Sequence, residues 1–143
     1  MKTRLVNNSP QTYVLVMDTG DEVMQQLENF AATNNITAAS FTAIGAFTSA
    51  TLGYFDFSIK DYKHIPIDEQ VEVLSLAGDV AMYEGRPKLH AHVIVGKADG
   101  SAHGGHLLKA TVRPTLEVVL TVLPAHLQRE MDAESGIPLI RLS

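Results

Sequence analysis

Four of the six histidines in this sequence fall within one segment of 17 residues, from His90 to His106. His90 and His92 are two positions apart, a spacing that places both imidazoles on one face of a β-strand. His106 follows the pair Gly104-Gly105, and glycine lets the backbone turn tightly or approach another strand closely. Three imidazoles brought to one point can bind a divalent metal such as zinc, with a water molecule completing the shell.

We therefore predict a metal centre made of His90, His92 and His106, with His103 as the alternative third ligand. The competing interpretation is that these are ordinary polar side chains whose nitrogens bond to neighbouring backbone groups. Glu117 has four open roles: a further metal ligand, a partner that orients an imidazole, a general base for metal-bound water, or a solvated carboxylate. We expect it close to the histidines, because it also faces away from the apolar side of its strand.

The strand that carries the first two histidines is predicted over residues 88–95. Its odd positions are all apolar, which assigns them to the core and directs His90 and His92 to the other face. The turn at Asp99-Gly100 should return the chain antiparallel to this strand. That return would bring His106 alongside the first two histidines.

The rest of the chain is predicted to form one helix and several short strands. The pattern Thr19-Gly20-Asp21-Glu22 has the form of a capping box that opens a helix, and Asn34-Asn35 is a plausible left-handed stop. Seven to nine strands are expected, which favours an α+β fold with a largely antiparallel sheet and one main helix in a single domain, residues 1–143. The clearest strand segments are 13–17, 41–47, 51–57 (joined to the preceding one near 48–50), 62–67, 71–78, 88–95 and 115–123.

Composition excludes several classes of protein. The absence of cysteine rules out disulfides, thiolate metal sites and cysteine nucleophiles, and it suits a cytoplasmic protein. The segment Met1–Asn8 lacks the apolar run of a signal peptide, and no apolar segment approaches the roughly 20 residues that span a bilayer. The net charge of −5, with basic residues spread singly, argues against direct binding to nucleic acid or to anionic lipid.

Several spaced motifs together resemble the signature of the PPC domain, the plants and prokaryotes conserved domain. They are His90-Ala91-His92, Asp99-Gly100, Gly104-Gly105-His106-Leu107 and Thr115-x-Glu117-Val118, with Ile44-Gly45-Ala46 and Leu52-Gly53-Tyr54-Phe55-Asp56 earlier in the chain. The resemblance covers roughly residues 12 to 132. It implies a compact fold with an antiparallel sheet, assembly as a homotrimer, and a role in self-association and partner binding.

Bacterial members of the family carry the label of predicted DNA-binding proteins, and plant members contact DNA through a separate AT-hook with an Arg-Gly-Arg-Pro core. This chain has Glu84-Gly85-Arg86-Pro87 instead, so an acidic residue stands where the hook needs an arginine for the minor groove. The hook is therefore not expected to function here. Any DNA association is expected to run through a protein partner.

Our leading expectation is a homotrimeric PPC-domain protein with a histidine metal site and a regulatory or scaffolding role. The first alternative is a small zinc-dependent, hydrolase-like enzyme in which Glu117 activates zinc-bound water. The second alternative is a direct DNA-binding protein. The sequence leaves open whether the protein is an enzyme, which metal it holds and which ligand it takes.

Overall fold

A computed structural model describes residues 1–142 of the chain, and within that range it contains one helix and nine strands. The predicted α+β fold, largely antiparallel with one main helix, is confirmed. The elements in chain order are β1 (Lys2–Asn8), β2 (Gln11–Asp18), α1 (Val23–Thr33), β3 (Ala38–Asp56), β4 (Asp61–Ile67), β5 (Val71–Tyr83), β6 (Arg86–Gly96), β7 (Ala102–Val122), β8 (Gln128–Met131) and β9 (Pro138–Arg141).

Four strands close the sheet into a ring. β3 pairs with both β5 and β7, and β6 joins β5 to β7 on the other side. β2 pairs with β7, and β1 pairs with β2. β4 pairs with the C-terminal part of β3, residues 50–56. These pairings are all antiparallel, and the β8–β9 hairpin attaches to β5 through one parallel pair, Met82 with Gln128. Because β3 pairs with both β5 and β7, residues that are far apart in the sequence lie side by side around this ring.

The core follows the alternation that the sequence shows. The odd positions of β6 are buried, with Leu89, Ala91, Val93 and Val95 all at most 4% exposed. Helix α1 contacts β6 and β7 and buries an apolar stripe at helical spacing. The residues of this stripe are Val23, Leu27, Phe30 and Ala31.

The helix begins three residues later than the capping-box interpretation predicts. Glu22 is the N-cap, and its carboxylate accepts hydrogen bonds from the backbone N–H groups of Met24 and Gln25. Thr19 instead donates its hydroxyl to the carbonyl of Pro114 on β7. The hydroxyl of Thr19 therefore contacts β7, and Glu22 caps the helix in its place. The predicted stop is confirmed, because Asn35 adopts a φ of 53° just after the helix.

Two predicted strand boundaries are wrong. Segments 41–47 and 51–57 form one strand, β3, because residues 48–50 lack a glycine or proline and stay paired to β7 through small shifts of register. Likewise the strand predicted to begin at Thr115 is the second half of β7, which starts at Ala102. The edge strand around Pro66 is confirmed as β4. In the part of the chain that is described, no helix is long and apolar enough to cross a membrane.

Candidate metal centre

The hairpin of β6 and β7 brings the three predicted histidines together. The turn at Asp99-Gly100 returns the chain as expected, and the register places His92 directly opposite His106. The nitrogens of His90, His92 and His106 lie within 4.8 Å of one another. The Nε2 atoms of His90 and His92 are 3.2 Å apart, close to the about 3.3 Å that separates two ligands of a tetrahedral zinc ion with bonds of about 2.0–2.1 Å. The first pair is thus spaced as two ligands of one divalent metal, and the nitrogen of His106 lies within 4.8 Å of both.

Two of the imidazoles have a partner on the ring nitrogen that faces away from the shared point. The Tyr62 hydroxyl lies 3.5 Å from Nδ1 of His106, and the two rings are in contact, with centroids 4.5 Å apart and planes tilted by 31°. The Asp79 carboxylate lies 4.0 Å from Nδ1 of His90. A hydroxyl or carboxylate beside Nδ1 favours the tautomer with its proton on Nδ1, which leaves Nε2 free for a metal. Asp79 is itself held by an ion pair with Arg129.

The surroundings favour the neutral form of two of the imidazoles, His90 and His106. Burial, followed by the proximity of His90 and His92, lowers the pKa of His106 from 6.5 to about 4. Burial and then His92 also lower the pKa of His90, against an opposing effect of Asp79. Only a neutral imidazole has a lone pair for a metal ion. His90 and His106 therefore have a lone pair available for a metal at neutral pH.

A cavity of about 550 Å³ opens beside the cluster. Pairing between β6 and β7 ends at His92 and His106, so the two strands part beyond this point. His90 and His106 line the cavity, together with Lys88 and Arg129. The volume lies within the range of pockets that bind small molecules. The metal centre is thus open to a ligand.

Two sequence-predicted site residues lie elsewhere. Glu117 was expected near the histidines, but it is eleven residues further along β7, about 35 Å of extended chain. It is exposed and pairs with Val16 and Ile44. His103 lies three residues from His106 on a regularly paired stretch, which places it on the opposite face of the strand. Neither residue belongs to the cluster.

Sequence reasoning missed Asp79, Arg129 and Tyr62. Asp79 stands opposite His90 in the β5–β6 register, and the available signal was an aspartate within residues 76–82, which otherwise have no polar side chain. Tyr62 reaches His106 through two successive strand pairings, β4 with β3 and β3 with β7. Arg129 comes from a tail strand, and no spacing in the sequence connects it to the site.

Comparisons with known proteins agree with this architecture. The model of the Plants and Prokaryotes Conserved (PCC) domain matches residues 4–124. A crystal structure described as a putative DNA-binding protein from Ralstonia eutropha JMP134 is 36% identical, covers 92% of this chain and 91% of its own, and has a TM-score of 0.86. A metal-containing protein from Archaeoglobus fulgidus is 34% identical over 99% of this chain and 97% of its own, also with a TM-score of 0.86.

Among curated proteins, the bifunctional protein GlmU of Synechococcus sp. (strain JA-3-3Ab) is 31% identical over 135 residues. The match covers 92% of this chain but 20% of the length of that protein. The similarity therefore concerns one domain of a much longer polypeptide.

Proposed function

This chain belongs to the Plants and Prokaryotes Conserved domain family, and we propose that it is a metal-binding member in which His90, His92 and His106 hold a divalent ion. The convergence of these three imidazoles carries the proposal. Zinc is the first candidate, since it favours nitrogen ligands in tetrahedral geometry and accepts water in an open position. The Archaeoglobus fulgidus relative, described as metal-containing, supports the assignment.

Calorimetric titration of zinc into chelator-stripped protein tests this function. We expect a single site per chain that is lost, or weakened by at least about a hundredfold, in His92→Ala. His103→Ala is the matched control, because it removes a histidine of the same hairpin that faces the other way. Equal zinc binding by the wild type and His92→Ala would contradict the proposal.

We further propose that the protein is a cytoplasmic homotrimer with a regulatory or scaffolding role. An exposed apolar groove, lined by Ile44, Leu74 and Val119, supports self-association. These side chains are 60%, 54% and 47% exposed in the single chain. Adjacent apolar side chains on an exposed sheet face are typical of an interface between subunits.

Light scattering on a sizing column tests the assembly. Wild-type protein should have the mass of three chains, and Leu74→Lys should shift it towards the monomer. Ile59→Lys changes an equally apolar side chain, 65% exposed, that lies outside the groove. A monomeric wild type, or equal effects of the two substitutions, would refute this assembly.

We propose that any association with DNA is made through a protein partner. The Ralstonia eutropha relative is described as a putative DNA-binding protein, but this chain has a net charge of −5. Glu84 and Gly85 form a tight turn between β5 and β6, both with positive φ, and Arg86 and Pro87 are the first residues of β6. The segment is therefore part of a hairpin rather than an extended arm for the minor groove.

A metal-dependent hydrolytic enzyme is the second candidate function, and the cavity beside the histidines is the observation that favours it. Glu28 lines this cavity and offers a carboxylate as general base, a role that Glu117 cannot fill from its position on the distant half of β7. Zinc-loaded protein should then hydrolyse an activated ester such as p-nitrophenyl acetate faster than His92→Ala does. Equal rates would exclude this activity.

A further inference from the structure

The carboxylate of Asp79 lies between the metal centre and the C-terminal hairpin of β8 and β9. A terminal nitrogen of Arg129 on β8 donates a hydrogen bond to its Oδ1 atom, while its Oδ2 atom lies 4.0 Å from Nδ1 of His90. Asp79 and His90 stand opposite each other in the β5–β6 register, which places both side chains on one face of the sheet. Each carboxylate oxygen therefore faces a different partner.

The backbone fixes the position of Arg129. The N–H of Met82 donates to the carbonyl oxygen of Leu127 at 2.8 Å, and Met82 also pairs with Gln128 at the start of β8. Arg129 follows directly and is 5% exposed, so its charge requires a paired carboxylate. Asp79 provides that carboxylate, and the ion pair restrains its rotation. Arg129 thus holds Asp79 in the orientation that leaves Oδ2 for the histidine.

The location of one proton in the histidine cluster follows from this carboxylate. A carboxylate beside Nδ1 of His90 favours the tautomer that carries the proton on Nδ1, so Nε2 of His90 is an acceptor. This atom lies 3.2 Å from Nε2 of His92, and a hydrogen bond between two imidazole nitrogens needs one proton. In the metal-free protein His92 therefore supplies the proton, as its Nε2–H tautomer.

A metal ion takes the place of this hydrogen bond. Zinc bonds to a ring nitrogen that carries no proton, so His90 can coordinate through Nε2 without a change of tautomer. His92 has to carry its proton on Nδ1 before its Nε2 atom can coordinate. The two histidines of one strand therefore differ in their response to the metal, and the difference originates at Asp79.

We propose that Asp79 and Arg129 are positioning residues of the metal centre. Arg129 orients Asp79, and Asp79 prepares His90 as a ligand, while His92 changes its tautomer when the metal binds. This inference rests on the proposed metal function and adds the residues that prepare the site. Arg129 lies outside residues 4–124, which match the family model, so the C-terminal hairpin contributes a part of the centre from beyond the matched segment.

Heteronuclear NMR of the imidazole nitrogens tests the proposal on the wild-type protein, because it distinguishes the two neutral tautomers from the doubly protonated ring. At about pH 8, above the ordinary histidine pKa of about 6.5, we expect His90 as the Nδ1–H tautomer both with and without zinc. His92 should change from Nε2–H to Nδ1–H when zinc is added. His103, on the opposite face of the hairpin, is the internal control and should not respond.

Either of two spectra would overturn the proposal. One is a metal-free His90 that carries its proton on Nε2, since the carboxylate of Asp79 would then not determine its tautomer. The other is a His92 with the same tautomer before and after zinc binds. Both are read from the unaltered chain, so they do not depend on whether a variant folds.

Zinc affinity, measured by competition with a chelator, tests the link from the hairpin to the histidine. Asp79→Asn should weaken zinc binding by about tenfold or more, as the loss of an outer-shell partner does. Glu72→Gln removes an exposed carboxylate from the same strand and should bind zinc like the wild type. Arg129→Lys keeps the charge but not the planar fork, and it should weaken binding about threefold or more. In the Asp79→Asn background, Arg129→Lys should have no further effect.

The outcomes separate this proposal from the metal function on which it rests. Equal zinc affinity in the wild type and Asp79→Asn would overturn the role of Asp79. Equal effects of Arg129→Lys in the two backgrounds would overturn the role of the hairpin. Both results leave the three-histidine site intact, because zinc still binds. A wild type that binds no zinc would instead overturn the metal function itself.

Discussion

Acidification should lower the free energy of unfolding of the metal-free protein, because the half-buried imidazole of His106 stays neutral in the folded state. In the folded state its pKa is about 4, whereas in the unfolded chain it returns to about 6.5. Between these values the unfolded chain binds a proton that the folded protein does not. The free energy of unfolding must therefore fall as the pH drops through this window. The full contribution is present above about pH 6.5, and it is lost as the pH approaches 4.

The size of this effect follows from the two pKa values. At about 1.36 kcal/mol per pH unit, the drop from 6.5 to about 4 sets a ceiling of about 3 kcal/mol. His106 is only half-buried, and solvent screening reduces the expected contribution to about 1–2 kcal/mol. Other titrating groups add their own pH dependence. The quantity of interest is therefore the difference between the wild type and a variant without this imidazole.

Urea unfolding in the presence of a chelator, at about pH 7.5 and about pH 4.5, measures that difference. His106→Gln removes the titrating ring and keeps a polar side chain beside Tyr62. We expect wild type to lose about 1–2 kcal/mol more than His106→Gln over this range. His103→Gln is the control, because it removes a histidine of the same strand outside the cluster, and it should behave like wild type. An identical pH dependence for wild type and His106→Gln would refute the reasoning.

Three further outcomes are expected. Gly105→Ala should destabilise the protein by about 1–3 kcal/mol in urea unfolding, because its new Cβ would lie 2.8 Å from a backbone oxygen of β3. Gly104→Ala should cost less, since the nearest atom is 3.3 Å away. Glu22→Ala should lower stability by about 1–2 kcal/mol, because its carboxylate caps α1 and also accepts from the N–H of Ala110. Fluorescence anisotropy with duplex DNA should show no saturable binding at physiological salt, and micromolar affinity would contradict the argument from charge.

The convergence of the histidines was predictable because it depends on local rules. The period of two along β6 fixed the face of His90 and His92, and the turn at Asp99-Gly100 fixed the antiparallel return. Both rules act within one hairpin. The core positions of β6 and the apolar stripe of α1 were predictable for the same reason, since apolar periodicity reports directly on burial.

The rest of the site depends on pairings between segments that are distant in sequence. Asp79 reaches His90 through a strand register, and Arg129 arrives from a hairpin attached to β5 by a single residue pair. Glu117 shows the opposite error, since it was assigned to the site but lies far from it. It does face away from the core, but β7 is 21 residues long and pairs with different strands at its two ends. A shared outward face therefore does not imply a shared site.

A crystal structure of zinc-loaded protein, with anomalous diffraction measured at the zinc edge, tests the central claim most directly. We expect one strong anomalous peak per chain, bonded at about 2.0–2.1 Å to a ring nitrogen of each of His90, His92 and His106. A non-protein ligand should complete the shell on the side of the cavity. A zinc peak elsewhere on the chain, or three imidazoles that bond to backbone groups while no ion lies between them, would contradict the account.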